Sequence, residues 1–360
     1  MLSTIVAFAA ACGDDGVTPS GTGAGDVGGG AVCGLTPAGN AEFCSAELAS
    51  PNCNLVTSEK HHVCGVPVRE PEAELARATD TDEYSGTGAP QVGCFAPAGY
   101  PQKPGTPQMV SVEGFARIFS SGCNSSDVKI TFYKVIRDGS ANDGQLGEAI
   151  GSSVTTAASC VDIGDQTMPD DCEASGSRWE CPYTYPMVPS ETELAVKTES
   201  ISGDDKWAPL VQYNVYIPNS EVMAGTWDHD VRALATPDYS VIPSTAIGKP
   251  ITAGNGAVAG EVHDCGDVRL LNATAGIDKT KANLTYFTSD EDAPLPDLEA
   301  DSTSKLGLYA ALDVPTGQVN VAAQGLYQGQ IVSLGRHTVW VYPDTVTSVT
   351  FKGLRPYQVP

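Results

Sequence analysis

The side chains able to do chemistry are few and scattered. Five histidines occur: His61, His62, His229, His263 and His337. Asp228-His229-Asp230 is the densest acid–imidazole cluster. It would ligate a metal or, more plainly, form a solvated turn between strands. His263-Asp264 falls at the end of an alternating segment, where a structural role is the plainer reading. Asp290, Glu291, Asp292, Asp297, Glu299 and Asp301 crowd six acids into twelve residues. Such a loop attracts calcium, but the glycine turn of a calcium loop is missing. No G-x-S-x-G elbow, H-E-x-x-H pair, P-loop or dinucleotide fingerprint is present. The tryptophans are Trp179, Trp207, Trp227 and Trp340. Trp207 and Trp227 flank an expected strand pair and are the candidates for stacking on a sugar ring. A core role is the plainer reading for both. These residues predict no catalytic centre, no metal and no cofactor.

Cysteine carries more information. There are 11 cysteines, an odd number. Setting Cys12 aside leaves Cys33, Cys44, Cys53, Cys64, Cys94, Cys123, Cys160, Cys172, Cys181 and Cys265. An even set in an exported chain reads as disulfides. Cys33, Cys44, Cys53 and Cys64 define a small module over residues 33–64, too short to bury much core without cross-links. Zinc is the alternative there, because His61 and His62 stand next to Cys64, but the spacing lacks paired C-x-x-C knuckles.

Cys12 has its own context. Leu2 to Ala11 is a short apolar run, too short to span a bilayer and suited to a signal-peptide core over residues 1–11. Ala9-Ala10-Ala11-Cys12 resembles the bacterial lipoprotein box. That resemblance implies cleavage before Cys12 and a diacylglycerol on its sulfur. Leu is usual where Ala9 stands, and the basic n-region is missing, which places the expected start upstream of Met1. Residues 12–32 are Gly-rich and read as a flexible tether, with an end-to-end distance on the order of 25 Å. Three acyl chains, at about 0.8 kcal/mol per buried methylene, would anchor it firmly. Gly13 after the cysteine implies, by resemblance to enterobacterial sorting, the outer membrane of a Gram-negative cell.

The formal charge is −24, from 44 acidic and 20 basic residues. That field repels nucleic acid and anionic membrane surfaces, so no nucleic-acid partner is expected. Gly, Pro, Val and Thr are abundant and favour strands and turns. Residues 65–107 read as a connector, with two helical turns expected near Pro71–Arg77.

From residue 108 the chain repeats itself. Val112-Glu113-Gly114-Phe115-Ala116 matches Val258-Ala259-Gly260-Glu261-Val262. Ile130-Thr131-Phe132-Tyr133 matches Leu284-Thr285-Tyr286-Phe287. Tyr185 to Pro189 matches Ala311 to Pro315, and Val215 to Asn219 parallels Val341 to Asp344. Val188 to Val215 and Val314 to Val341 are both 27 residues. The blocks alternate at the strand period, as in Leu194 and Val196 or Val319 and Val321. Pro189-Ser190-Glu191 and Pro315-Thr316-Gly317 read as turns. Short strands with such punctuation predict a β-sandwich for each repeat.

In the second repeat the order runs Gly260-Glu261-Val262, then Gly307-Leu308-Tyr309, then Val314-Pro315-Thr316-Gly317. It resembles the carboxypeptidase regulatory-like family, a transthyretin-like sandwich. In the first repeat Glu191 stands in place of Gly317. The resemblance implies an all-β fold with two tandem transthyretin/carboxypeptidase-regulatory-like β-sandwiches, spanning 108–245 and 250–357, after the Cys-rich module and the tether. It implies accessory or stalk roles, and its motifs specify fold, not activity.

Between the second and third matched blocks the first repeat is about 28 residues longer, and Cys160, Cys172 and Cys181 fall inside that insertion. A loop so long is expected to be stapled by disulfides. Cys265 is alone in the second repeat and is expected to bridge to the preceding region, setting the angle between domains. The resulting expectation is a non-catalytic, lipid-anchored cell-envelope protein with structural or protein-interaction sandwiches. Its partners would be the membrane, through the anchor, and envelope proteins or glycans. A carbohydrate-binding lipoprotein is the alternative, and an envelope hydrolase a third reading.

Overall fold

The computed structural model describes residues 61–63, 66–81, 83–95, 99–119, 124–157, 160, 180–279, 283–291 and 294–358. The expected signal peptide, the Cys12 lipidation site, the tether, and Cys33, Cys44, Cys53, Cys64, Cys123 and Cys172 lie outside them.

The first lobe contains β1 (Met109–Phe119), β2 (Val128–Val135), β3 (Cys181–Pro189), β4 (Leu194–Ser200), β5 (Leu210–Val215), β6 (Thr226–Asp228) and β7 (Val231–Ala235). Helix α1 (Thr236–Ile247) follows. Pro237 in its first turn suits a helix start, and Gly248 closes it in the left-handed region at φ 70°. The second lobe contains β8 (Asn255–His263), β9 (Thr274–Ile277), β10 (Asn283–Phe287), β11 (Leu308–Pro315), β12 (Gly317–Tyr327), β13 (Gln330–Val341), β14 (Val346–Val349) and β15 (Phe351–Lys352). The fold is all-β, a pair of β-sandwiches.

The repeat is visible in the pairing. β1 runs antiparallel to β3 with a register shift between Val110 and Val112, and β8 runs antiparallel to β11 with one between Gly256 and Val258. Gly114 faces Tyr183, and Gly260 faces Tyr309. β1 then pairs in parallel with β6 and β7, as β8 does with β14 and β15. The Tyr183 hydroxyl donates to the His229 carbonyl at 2.7 Å, and the Tyr309 hydroxyl to the Val349 carbonyl at 2.8 Å. Both glycines are required by close approach. A Cβ on Gly114 would lie 2.1 Å from the His229 carbonyl oxygen, and one on Gly260 would lie 1.8 Å from that of Val349.

One expected match is overturned. Ile130–Tyr133 lies in β2, which pairs with β4, while Leu284–Phe287 lies in β10, which pairs with β11. The topological counterpart of β2 is β9, which pairs with β12. Two half-buried strands share alternating composition, so composition alone did not distinguish them. β9 is also disguised by Gly276, where a Cβ would sit 2.0 Å from the Pro67 carbonyl oxygen. The insertion length inferred from that match changes with it.

The two sandwiches are fused. A single eleven-stranded sheet contains β10-β11-β8-β14-β5-β4-β2 in that spatial order. β5 of the first lobe pairs in parallel with β14 of the second, Leu210 opposite Val346. Over one face lie β1, β3, β6 and β7; their core includes Val112, Phe132, Tyr185 and Val196. Over the other face lie β9, β12 and β13, packed on Ala195, Val211, Tyr213 and Val258. Strands β4 and β5 are thus covered on both faces. That explains their near-continuous apolar runs, Leu194-Ala195-Val196 and Leu210-Val211. Each buried Leu or Val contributes about 1.5–3 kcal/mol.

The connector belongs to the second lobe. Val66 and Val68 enter its core, and Ala76–Arg77 pairs with Leu270–Leu271. The helix expected near Pro71–Arg77 does not form: Ala76–Arg77 is a strand, and Leu75 is buried beside Gly325. One large apolar side chain, Leu75, offers a two-turn helix little apolar face, whereas the extended form gains sheet bonds and a socket. Cys94 of this segment is disulfide-bonded to Cys265, as expected for a bridge to the preceding region. Cys160 is bonded to Cys181, joining the start of the first-lobe insertion to the first residue of β3.

Candidate functional site

A cavity of about 260 Å³ lies where the lobes meet. Its floor is one face of the shared sheet, read along three parallel neighbours. The first row is Leu210, Val346 and Ala257; the second is Gln212, Ser348 and Ala259. Beyond them come Asn214, Thr350 and Glu261, then the pair Lys352 and His263. Because the strands are parallel, their side-chain sequences align. The floor therefore grades from apolar to polar along its length. The small side chains of Ala259, Ala310 and Ser348 at its middle leave the space open. The roof is Trp227, His229, Arg232 and Leu234 from β6, β7 and the residues joining them, with Tyr239 and Ile242 of α1 over the apolar end.

The polar end holds a dense charge network. His263 is 1 % exposed, with Nδ1 2.6 Å from Asp267 Oδ1 and Nε2 2.8 Å from Glu261 Oε2. Arg269 Nε donates to Glu261 at 2.9 Å, Lys352 to Asp267 at 3.0 Å, and Arg232 to Glu83 at 2.9 Å. Burial alone would raise Glu261, but the His263 hydrogen bond and the charges of His263, Arg269 and Arg232 hold it well below the usual carboxylate range. Asp267 is depressed the same way: burial opposes, and His263 and Lys352 prevail. Tyr84, from the connector, caps the network. Its ring lies 4.8 Å from that of His263 and 4.8 Å from Lys352 Nζ.

Asp228-His229-Asp230 is not a solvated turn. Asp228 is exposed, but the His229 ring stacks on Trp227 at 4.6 Å and 11°. Burial, then Lys352, Arg232 and Arg355, push its pKa down to about 3, so it is neutral at pH 7. Asp230 accepts from the Phe115 N–H at 2.8 Å and from Arg117 at 2.6 Å. His229 and Asp230 turn inward, and Asp228 outward, because β6 and β7 are both bound to strand β1.

Trp207 is 2 % exposed and donates to the Ser126 carbonyl at 2.9 Å. Trp227 is 9 % exposed, and its indole N–H reaches Glu221 at 3.2 Å. Neither ring offers an open face to a polysaccharide. Within the acidic stretch, Glu291 pairs with Arg269 and Asp301 with Arg69, while Asp292 is outside the described residues. Among the described residues no three His, Cys, Asp or Glu converge as a metal site. His337 is buried against Phe351, its pKa lowered to about 3 by burial and by Arg137, Arg355 and Arg336. His61 and His62 lie on a short strand, Cys64 beyond the described residues.

Sequence reasoning missed Tyr84, Arg232, Glu261, Asp267, Lys352 and Arg355 as neighbours. The available signal was period two: Val346, Ser348, Thr350 and Lys352 change from apolar to cationic on one face.

No protein-family model matches the chain, and no curated protein matches it. Solved structures that match include the shaft pilin SpaA of Lactobacillus rhamnosus GG, at 11 % identity and TM-score 0.20, covering 69 % of this chain and 100 % of that one. The minor pilin GBS52 of Streptococcus agalactiae matches at 10 % identity and TM-score 0.16, over 67 % and 94 % of the two chains. The pilus backbone RrgB of Streptococcus pneumoniae matches at 11 % identity and TM-score 0.17, over 70 % and 68 %.

Proposed function

We propose that the chain is a non-catalytic, exported lipoprotein of the Gram-negative outer membrane. Cys12 carries the lipid, and the fused sandwiches are a rigid module for structural or protein-interaction work. The observation that carries the rigid-module reading is the shared sheet, with Cys94–Cys265 fastening the connector to the second lobe. Disulfides at Cys94–Cys265 and Cys160–Cys181 suit an oxidising compartment outside the cytoplasm. His263 is held by ion pairs and His337 by packing, which supports a structural role for both. The anchor reading rests on Ala9-Ala10-Ala11-Cys12 and the Gly-rich residues after it.

Labelling the expressing cells with a clickable palmitate analogue tests the anchor. Label is expected in the wild type and absent from Cys12→Ser. Unlabelled wild type that partitions into the aqueous phase of a detergent extract would overturn it. A glycan array with the lipid-free protein tests the module: saturable binding to a defined glycan would replace the structural reading by the carbohydrate-binding one.

A further inference from the structure

The cavity between the lobes is graded in polarity along one axis. Four rows of strand residues, from Ala257 to His263, span on the order of 20 Å at about 3.3 Å per residue. Its volume of about 260 Å³ corresponds to roughly nine water-sized groups. A single aliphatic chain of about eight to ten carbons fits that volume, whereas a two-chain lipid does not.

The polar atoms left over show which head group would be welcome. His229 Nε2, Arg355 Nε and Tyr239 Oη are buried, lack a hydrogen-bond partner and belong to this one lining. Such orphans carry a desolvation penalty of about 1–3 kcal/mol each until something meets them. All three can donate. The five acids of the lining are all engaged: Asp230 with Arg117, Glu261 with Arg269 and His263, Asp267 with Lys352, Glu221 with Trp227, and buried Asp238 in the first turn of α1. His229 and Arg355 interact electrostatically and share the polar end. An arriving acceptor would find donors there, and an arriving cation would find no unengaged carboxylate in the lining.

We infer that this cavity binds a free, single-chain acyl compound of about eight to ten carbons, with its carbonyl or carboxylate oxygen on His229 Nε2 and Arg355 and its tail over Ala259, Val346 and Leu210. The inference is independent of the anchor at Cys12.

Isothermal titration of the full disulfide-bonded chain, carrying Cys12→Ser so that neither acyl group nor detergent is present, tests it. The probes are decanoate, decanamide and decylammonium. Decanoate and decanamide are expected to bind one per chain, with decylammonium at least tenfold weaker. Ala259→Phe, which fills the middle of the floor, is expected to abolish binding, and Arg355→Gln to weaken decanoate at least tenfold. Circular dichroism reports whether Ala259→Phe folds; if it does not, Arg355→Gln alone decides. Absence of binding by both acyl probes, equal affinity for decylammonium, or decanoate affinity unchanged in the folded variants would overturn the site.

Discussion

Asp264 is a single side chain on which the connector depends. It is fully buried. Its Oδ2 accepts from Arg77 at 2.6 Å and from the Gln91 N–H at 2.7 Å, and its Oδ1 from the Gly266 N–H at 2.8 Å. Removing a partner from a buried ion pair typically costs about 3–5 kcal/mol. Asp264→Ala is therefore expected to lose about that much in urea unfolding; a loss under 1 kcal/mol would contradict this account. Histidine burial sets the pH response. The folded-state pKa values of His229 and His337 are about 3, below the ordinary 6.5 of the unfolded chain. The unfolded chain takes up these protons first. The associated stability is complete above pH 6.5 and is lost as pH falls toward 3. Glu261 and Asp267, also depressed, add loss of the same sign at lower pH. At pH 5 His337 alone accounts for about 1–2 kcal/mol. The urea midpoint should drop between pH 7.5 and pH 5, and by less in His337→Leu. Sequence alone placed His263-Asp264 at a strand end but could not assign Arg77 and Gln91 to Asp264, because both lie far away in the connector.

At the scale of elements, local chemistry was legible wherever a backbone constraint recurs. Gly114 and Gly260 announced themselves because no side chain fits against the neighbouring carbonyl. Met187 and Asp313, matched in sequence, share left-handed φ values of 63° and 59°. The β2 and β10 match failed because alternation says how a strand is buried, not which strand it pairs with. The bridge between Cys94 and Cys265 closes a separation of 171 residues. Cys265→Ser is expected to cost about 2–4 kcal/mol, read as a shift in the urea midpoint. Non-reducing peptide mapping should return the Cys94–Cys265 peptide pair from the wild type. Its absence would refute the bridge.

The whole molecule should unfold as one. β4 and β5 are sealed by the first lobe on one face and by the second on the other, so neither lobe keeps its core without its neighbour. Calorimetry should give one transition, and a fragment of residues 108–250 should show none, because Ala195, Val211 and Tyr213 would then face water. Two separate transitions, or a fragment that melts cooperatively, would contradict the fused sheet. What residue order alone could establish was local: β-sandwich class, the repeat and the turn positions. Each rests on period, spacing or residue type within a short window. The fused sheet, the orientation of His229 and the graded cavity came only with the tertiary structure. They depend on β5 meeting β14 across a separation of more than a hundred residues, and neither strand carries a signal naming the other.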